Sequence, residues 1–403
     1  MLFRSRLPEP LMPRRRAAPA RSRSAKRPQR THGTTTPRTR YAVVGLGHIA
    51  QTAVLPGMAH ATGCEVAALV SDDPVKRKAL ARRYHVKHTA GYDEFDALLR
   101  SGAIDAVYIA LPNDLHHQYT LRALRAGIHV LVEKPMAVTA PQCREMIAAA
   151  DESQALLMVA YRLHFEETNL HAIAVAQQRK LGELRFFHST FSMQVTPGDV
   201  RTRPVASGGG PLYDLGVYCI NAARGLFQAE PIQVSAFAAR SDDARFAHSD
   251  EMVSALLRFP GERLASFTAS FGAANTAAYD LVGTVGSLRL DPAYEYTEKL
   301  EQRITIKGKT RTRTQPVGDQ FAAEIDYFSR CIREKRAPEP SGAEGLADVR
   351  VVEAIIESVR SGRPVTLAPL ELPLQRPAPD LALRYPAGAQ PRPIHAPQPH
   401  QDP

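Results

Sequence analysis

Hydrophobic positions along this chain follow two different rhythms. Between residues 41 and 133 they form short unbroken runs, "YAVVGLG", "CEVAALVS", "IDAVYIALP" and "GIHVLVEKP", and most break on glycine or proline. Runs of that kind predict strands buried on both faces. Segments of helical character separate them at 51–60, 74–84 and 115–126, the last followed by Gly127 at a C′ position. Strand–helix alternation with apolar strands predicts a parallel sheet covered on both sides.

Past about residue 181 the period shortens to two. In "ELRFFHSTFSMQV", Phe187, Phe191, Met193 and Val195 fall on alternate positions. "IQVSAFA", "MVSALLRF", "LASFTASF" and "RITIKG" continue in strand-like fashion, which predicts a mostly antiparallel sheet with one face covered and one open. Two helices follow. Phe321, Ile325, Phe328 and Ile332 form one stripe; Leu346, Val349, Val352, Ile356 and Val359 form another, behind a capping-box spacing of Ser341 and Glu344. The fold class expected is α/β, a doubly wound Rossmann domain, joined to an α+β domain with an open-faced, mostly antiparallel sheet. The boundaries drawn are a basic arm at 1–40, a nucleotide-binding domain at 41–160, a substrate and oligomerisation domain at 161–368, and a proline-rich tail without structure at 369–403. The C-terminal helices are expected to pack back on the first domain.

Charge changes the picture at one end only. The chain carries a formal +10, yet residues 1–40 alone hold eleven Arg and one Lys against the single acid Glu9. The body is therefore close to neutral, which argues against a specific nucleic-acid surface on it. The arm itself reads as disordered, whether a partner-clasping arm, a non-specific nucleic-acid tail or a solvated extension. No apolar run approaches the roughly 18 residues that cross a bilayer. Arg14–Arg16 lead into no apolar segment, so the expected location is cytoplasmic rather than periplasmic. Cys64, Cys143, Cys219 and Cys331 are scattered, which indicates packed thiols rather than a disulfide framework or a zinc site.

Chemistry begins at Gly45-Leu46-Gly47-His48-Ile49-Ala50, directly after a predicted strand and opening a helix. The first glycine permits the tight turn, the second admits a pyrophosphate to the backbone, and the small sixth residue lets helix and strand pack. At the end of the second strand, Ser71 with Lys76 and Arg77 close behind suits the 2′-phosphate of NADP. Asp72 and Asp73 keep NAD open.

These features and five more segments, "IDAVYIALPNDLH", "AGIHVLVEKPMA", "YRLHFE", "GGGPLYDLGVY" and "PSGAEGLADVRVVEAIIESVRSGRPV", together resemble the Gfo/Idh/MocA oxidoreductases, most of all their glucose–fructose oxidoreductase branch. The resemblance covers about residues 41–368. It implies NADP-dependent hydride transfer with a sugar or polyol, aldose to lactone, in one version coupled to reduction of a ketose without release of the cofactor, and a homodimer or homotetramer assembled through the second sheet. It further implies that Gly45 to Ala50, His48 and Ile49 included, hold the pyrophosphate and that Ser71 and Lys76 hold the 2′-phosphate. Leu111, Pro112, Asn113 and His116 would lie against the cofactor, Glu133-Lys134-Pro135 beside the nicotinamide, and Arg162 and Tyr296 in contact with the cofactor. Most members carry histidine four residues after the aspartate; here that position is Tyr218.

Hydride transfer from an alcohol needs a carbon placed near the nicotinamide and a base for the hydroxyl proton. No metal-ligand cluster is evident, which leaves Lys134, Asp214 and Tyr218 as catalytic candidates. A free phenol, with a pKa of ~10, is a poor base at neutral pH, and a neighbouring ammonium favours the phenolate. Tyr218 is accordingly the expected proton acceptor, Lys134 its partner and substrate donor, and Asp214 the orienting group. Lys134 as the base stays open. Arg201 and Arg203 read equally as substrate contacts or solvated loop residues, and His164 and Glu166 as residues of a domain junction. Two other functions fit the same sequence: an NADP-binding regulator without catalysis, and a glycoside hydrolase that uses the nicotinamide transiently.

Overall fold

The computed structural model describes residues 37–370, 377, 381, 384–388 and 390–400. The basic arm, except for its last four residues, lies outside the described residues, as does most of 371–383.

Six strands form the first sheet: β1 (Thr39–Val44), β2 (Cys64–Val70), β3 (His88–Ala90), β4 (Ala106–Ile109), β5 (His129–Glu133) and β6 (Leu157–Ala160). Their order is β3-β2-β1-β4-β5-β6 and every pairing is parallel. This is the doubly wound arrangement expected, and its order reverses between β1 and β4, where ligands of such sheets bind. The covering helices are α1 (Leu55–His60), α2 (Pro74–Tyr84), α3 (Phe95–Arg100), α4 (Asn113–Arg125) and α5 (Ala140–Ser153). Their starts are written locally. Asp73 caps α2 by accepting from the N–H groups of Val75 and Lys76, and Thr139 with Gln142 forms a complete capping box on α5.

After α6 (Glu167–Gln177) comes a nine-stranded sheet interrupted by α7 (Val217–Phe227). Its strands are β7 (Leu184–Gln194), β8 (Gln233–Ala239), β9 (Met252–Phe259), β10 (Arg263–Ser270), β11 (Gly272–Gly283), β12 (Gly286–Leu290), β13 (Leu300–Ile306), β14 (Lys309–Gln315) and β15 (Val365–Thr366). The order is β14-β13-β12-β11-β7-β10-β9-β8-β15. Only β7 and β10 pair in parallel. One face packs on α6, α7 and the last helix, α9 (Gly342–Ser361), through Phe187, Phe267, Ile173, Ile220 and Val352. The other face is open and carries Phe186, Phe237, Leu256 and Leu264 exposed.

The helix α8 (Gln320–Glu334) returns to the first domain, where Phe321, Ile325 and Phe328 pack with Tyr41, Val43 and Met58. α9 bridges both cores: Leu346 and Val349 join the first, Val351 and Ile355 the second. The capping box expected at its start does not form, because Glu344 is buried and bound by Arg224 at 2.9 and 3.1 Å. Arg224, fully buried, also reaches Asp348 and Glu230.

The proline-rich tail departs from the structureless segment expected wherever it is described. Tyr385 accepts from Asp319 N–H at 2.9 Å, Ile394 pairs with Gln51, and His400 bridges to Val195. Its anchors are mainly backbone groups, which leave no hydrophobic period to read.

Candidate active site

Four loops at the carboxyl ends of the parallel strands line the crevice, and the one after β5 meets the turn that leads into α7. The first follows β1. Gly45 adopts φ +92°, and a Cβ there would stand 2.4 Å from the carbonyl oxygen of Ala110, so the chain turns directly over the end of β4. At Gly47 a Cβ would meet nothing within 4 Å, which leaves open space for a ligand to approach the backbone. That opening, at the strand-order reversal and ahead of a helix start, fits a pyrophosphate. Ala50 is buried. His48 and Ile49 are partly buried, and the carbonyl of His48 accepts from Thr52 Oγ1 at 2.9 Å. Burial first, then the charge of Arg201, holds the His48 imidazole pKa below its ordinary value.

At the end of β2, Ser71 is buried and its Oγ accepts from Asp73 N–H at 3.2 Å; Lys76 follows on the first turn of α2. Both aspartates there already accept hydrogen bonds from the chain itself. Asp72 accepts from Tyr92 N–H at 2.8 Å, and Asp73 is occupied by its cap and by His395 at 3.0 Å. Lys76 and Arg77, cationic and at the start of α2, suit a 2′-phosphate.

The loop after β4 is held by His116, which is fully buried. Its ring nitrogens lie 2.8 Å from Pro135 O and 2.9 Å from Leu111 O. Expected as a cofactor contact, His116 instead bolts the Leu111–Pro112 turn to the loop after β5. Asn113 likewise donates to Gly208 O at 2.7 Å and ties the first domain to the second. Gly208 itself has φ +77°, and a Cβ there would come within 2.8 Å of Asn113 Cβ. Gly208 thus serves close docking of the two domains, while Gly209 lets the loop fold back on the carbonyl of Arg203.

Past β5, Glu133 accepts from Tyr108 Oη at 2.9 Å, and burial pushes its carboxyl pKa up. The Lys134–Pro135 peptide is cis. Lys134 Nζ donates to Asp214 Oδ1 at 2.7 Å and to Asp214 O at 2.9 Å. It also stands 4.8 Å from the centroid of the Tyr218 ring. Asp214 sits in a π-helical turn (Leu212–Gly216) that runs into α7, so residue 218 on the next turn faces the same lysine. Arg201, left ambiguous by sequence, donates from Nε to Asp214 Oδ2 at 2.8 Å. Its Nη1 binds Asp199 at 3.1 Å.

Electrostatics follow from this clamp. Burial alone would raise the Asp214 pKa, but the charges of Lys134 and Arg201 outweigh it and bring the carboxyl to about 2. Burial would lower the Lys134 pKa, and Asp214 with Tyr218 overcomes this, leaving it above the ordinary lysine value. Lys134 is therefore a cation and a hydrogen-bond donor at neutral pH.

Arg162 lies buried between two aromatic rings, 5.0 Å from Tyr218 and 5.2 Å from Tyr296. It donates to Gln320 Oε1 at 2.6 Å and to the carbonyl of Tyr294. Tyr296 packs edge-on against Phe321. Behind Tyr218 is a cavity of about 30 Å³, bordered by Tyr161, His164 and Asn221; that is room for a water and not for a sugar. His164 binds Glu339 at 2.9 Å and Asn221 at 2.7 Å; the carboxylate outweighs burial and raises the imidazole pKa to about 9. Glu166 caps α6, and Arg203 faces Asp114 at 3.6 Å. Sequence reasoning did not single out Glu324, a buried carboxyl on α8 in the field of Glu133 with no hydrogen-bond partner among the described residues. Among the described residues no cluster of three or more His, Cys, Asp or Glu side chains could hold a metal ion.

Comparison with known proteins agrees with this architecture. Residues 39–161 match the family profile described as "Oxidoreductase family, NAD-binding Rossmann fold", and residues 170–289 match the GFO/IDH/MocA C-terminal domain. The chain is 30% identical to D-xylose 1-dehydrogenase [NADP(+)] of Haloarcula marismortui over 81% of its own length and 93% of that protein. It superimposes on aldose–aldose oxidoreductase from Caulobacter crescentus complexed with glycerol with a TM-score of 0.78 and 35% identity, covering 82% of this chain and 100% of that one. A 3-ketoreductase from Actinomadura kijaniata, in complex with NADP and TDP-benzene, gives a TM-score of 0.72 at 29% identity, covering 80% and 98%. The glycine loop at the strand-order reversal and the open-faced second sheet thus have their counterparts in known enzymes, and the chain belongs to the GFO/IDH/MocA oxidoreductase family.

Proposed function

We propose that this protein transfers hydride between NADP and a CH–OH group of a sugar, with Lys134, Asp214 and Tyr218 as its catalytic set. The observation that carries the proposal is the placement of Lys134, 2.7 Å from Asp214 and 4.8 Å from the Tyr218 ring, where the nucleotide loops meet the second domain. Relatives named as a xylose dehydrogenase, an aldose–aldose oxidoreductase and a 3-ketoreductase all act on sugar carbons, which supports the substrate class.

NADP, when bound, supplies the hydride acceptor or donor. The residues of the chain do the rest. The loop from Gly45 to Ala50 presents its backbone to the pyrophosphate, and Ser71 with Lys76 takes the 2′-phosphate. Leu111, Pro112 and Glu133 shape the walls of the crevice, held in register by His116 and Asn113. Lys134 donates to the substrate oxygen and stabilises the negative charge that develops there as the proton leaves. Tyr218 Oη takes that proton in oxidation and returns it in reduction. Asp214 has one oxygen on Lys134 and the other on Arg201, so it orients rather than abstracts. The raised lysine pKa argues against Lys134 as the base.

The open sheet face, with Phe237 80% exposed beside Leu256 and Leu264, is proposed as the contact between copies in a homodimer or homotetramer. The cytoplasm is the proposed compartment, since its reducing conditions suit four buried, unpaired cysteines.

The test is a panel of aldoses, ketoses and polyols added to enzyme loaded with NADP or NADPH, read at the absorbance of reduced nicotinamide. Appearance or bleaching of that band with at least one sugar is expected. Tight cofactor binding with no response across the panel would mark a regulator, and release of an aglycone without net redox change would mark a hydrolase.

A further inference from the structure

The C-terminal segment Arg392–His400 runs along the nucleotide crevice, and its anchors fall on both domains. Ile394 pairs with the side-chain amide of Gln51 in two directions. Its N–H donates to Gln51 Oε1 at 2.7 Å, and its carbonyl accepts from Gln51 Nε2 at 2.9 Å. Gln51 is fully buried, immediately follows the glycine loop, and also donates to Leu46 O within that loop at 2.9 Å. The next residue, His395, sits on Asp73 at 3.0 Å, beside Ser71 at the ribose end. The segment then leaves the first domain. Thr196 N–H donates to Pro399 O at 3.0 Å, Thr196 Oγ1 donates to Gln398 O at 3.0 Å, and His400 bridges to Val195 just past β7.

These anchors are not of equal weight. The His395–Asp73 pair is largely solvated and adds little. The Gln51 pairing is partly buried and made in both directions, so it carries more weight than the others. A solvated tail has no reason to be held by the residue that follows a dinucleotide loop.

We propose that Arg392–His400 is a strap that closes the outer side of the nucleotide crevice and retains NADP through successive turnovers. The proposal rests on the cofactor reading above and adds only what holds the nucleotide in place; with NADP retained, the coupled reaction implied by the family resemblance runs on one bound nicotinamide. Atoms balance in that cycle. One substrate gives hydride and a hydroxyl proton to become a carbonyl compound, and the second receives both to become an alcohol.

The test measures the dissociation rate of NADPH from purified full-length enzyme by displacement with excess NADP, with no sugar present. It is repeated on a chain ending at Gln390 and on Ile394→Pro, which removes the one N–H given to Gln51 and serves where the shortened chain misfolds. Release at least ~10-fold faster in the variants, with less nucleotide carried through purification, is the expected result. An unchanged rate overturns the strap, and so does tighter binding after truncation, which would make the segment an obstruction. Since the readout is binding alone, failure here is distinct from an absence of sugar chemistry.

Discussion

Asp214→Asn tests the site most directly, because it keeps the shape of the side chain and removes only its charge. In the native site the carboxylate faces two cations, Lys134 at 2.7 Å and Arg201 at 2.8 Å. Its pKa, about 2 against an ordinary 3.8, corresponds to native-state stabilisation on the order of 2 kcal/mol. A depressed carboxyl pKa contributes stability that is fully present above the unfolded value and is lost as pH falls through the folded one. The asparagine variant is therefore expected to be less stable by about that amount at neutral pH, and the gap is expected to close as pH falls from 3.8 towards 2. Lys134 has the opposite sign: its raised value gives stability that is present below 10.5 and is lost as pH climbs through the folded pKa. Without the carboxylate, burial brings the lysine down, and the alkaline limb of kcat/KM should move to lower pH than in the native enzyme. The lysine also loses its aim, which should lower kcat by about 10²-fold at neutral pH. Chemical denaturation across pH, together with the pH–rate profile, gives both readouts. A variant whose profile runs parallel to that of the native enzyme and whose stability is unchanged would refute the clamp.

Other expectations follow from the same geometry. Tyr218→Phe should reduce kcat at least ~10²-fold with little change in NADP affinity, measured by steady-state kinetics and fluorescence titration; near-normal turnover would remove the phenol from the mechanism. Gly47→Val should weaken NADP binding while leaving the melting temperature of the apoprotein nearly unchanged, because a Cβ at that position meets open space. Arg224→Met should cost about 3–5 kcal/mol in denaturant unfolding by stranding buried Glu344 and Asp348. If the proposed homodimer or homotetramer forms through the open face, Phe237→Glu should lower the mass in sedimentation without loss of the Rossmann fold, and an unchanged mass would exclude that face as the contact.

Much of this site could be read along the chain, since the groups concerned announce themselves in local sequence. Gly45 and Gly47 follow an apolar strand, Lys134 precedes proline at the end of another, and Tyr218 follows Asp214 by about one turn. Arg201 could not be assigned that way. Its partner lies on the far side of a glycine turn whose path depends on docking against Asn113. His116 looked like a ligand contact because it stands next to the crevice, yet it is fully buried on α4 with its ring wedged between the carbonyls of Pro135 and Leu111. Glu344 had the spacing of a cap and was diverted by Arg224, a residue 120 positions away. The tail was the least legible part. Ile394 is fixed through its backbone, and a proline-rich segment with no repeating apolar face carries no trace of such bonds.

Among the described residues, three hydrogen-bonded pairs join the early loops to the glycine turn and the approach to α7: Asn113 with Gly208, Lys134 with Asp214 and Tyr213 with Val138. Neither half of the chain therefore owns the reacting groups, and a swap of one half between relatives would have to preserve this seam as a matched set. Diversity in sugar choice can then accumulate on the sheet beyond the seam, while the seam itself tolerates change only when both sides change together.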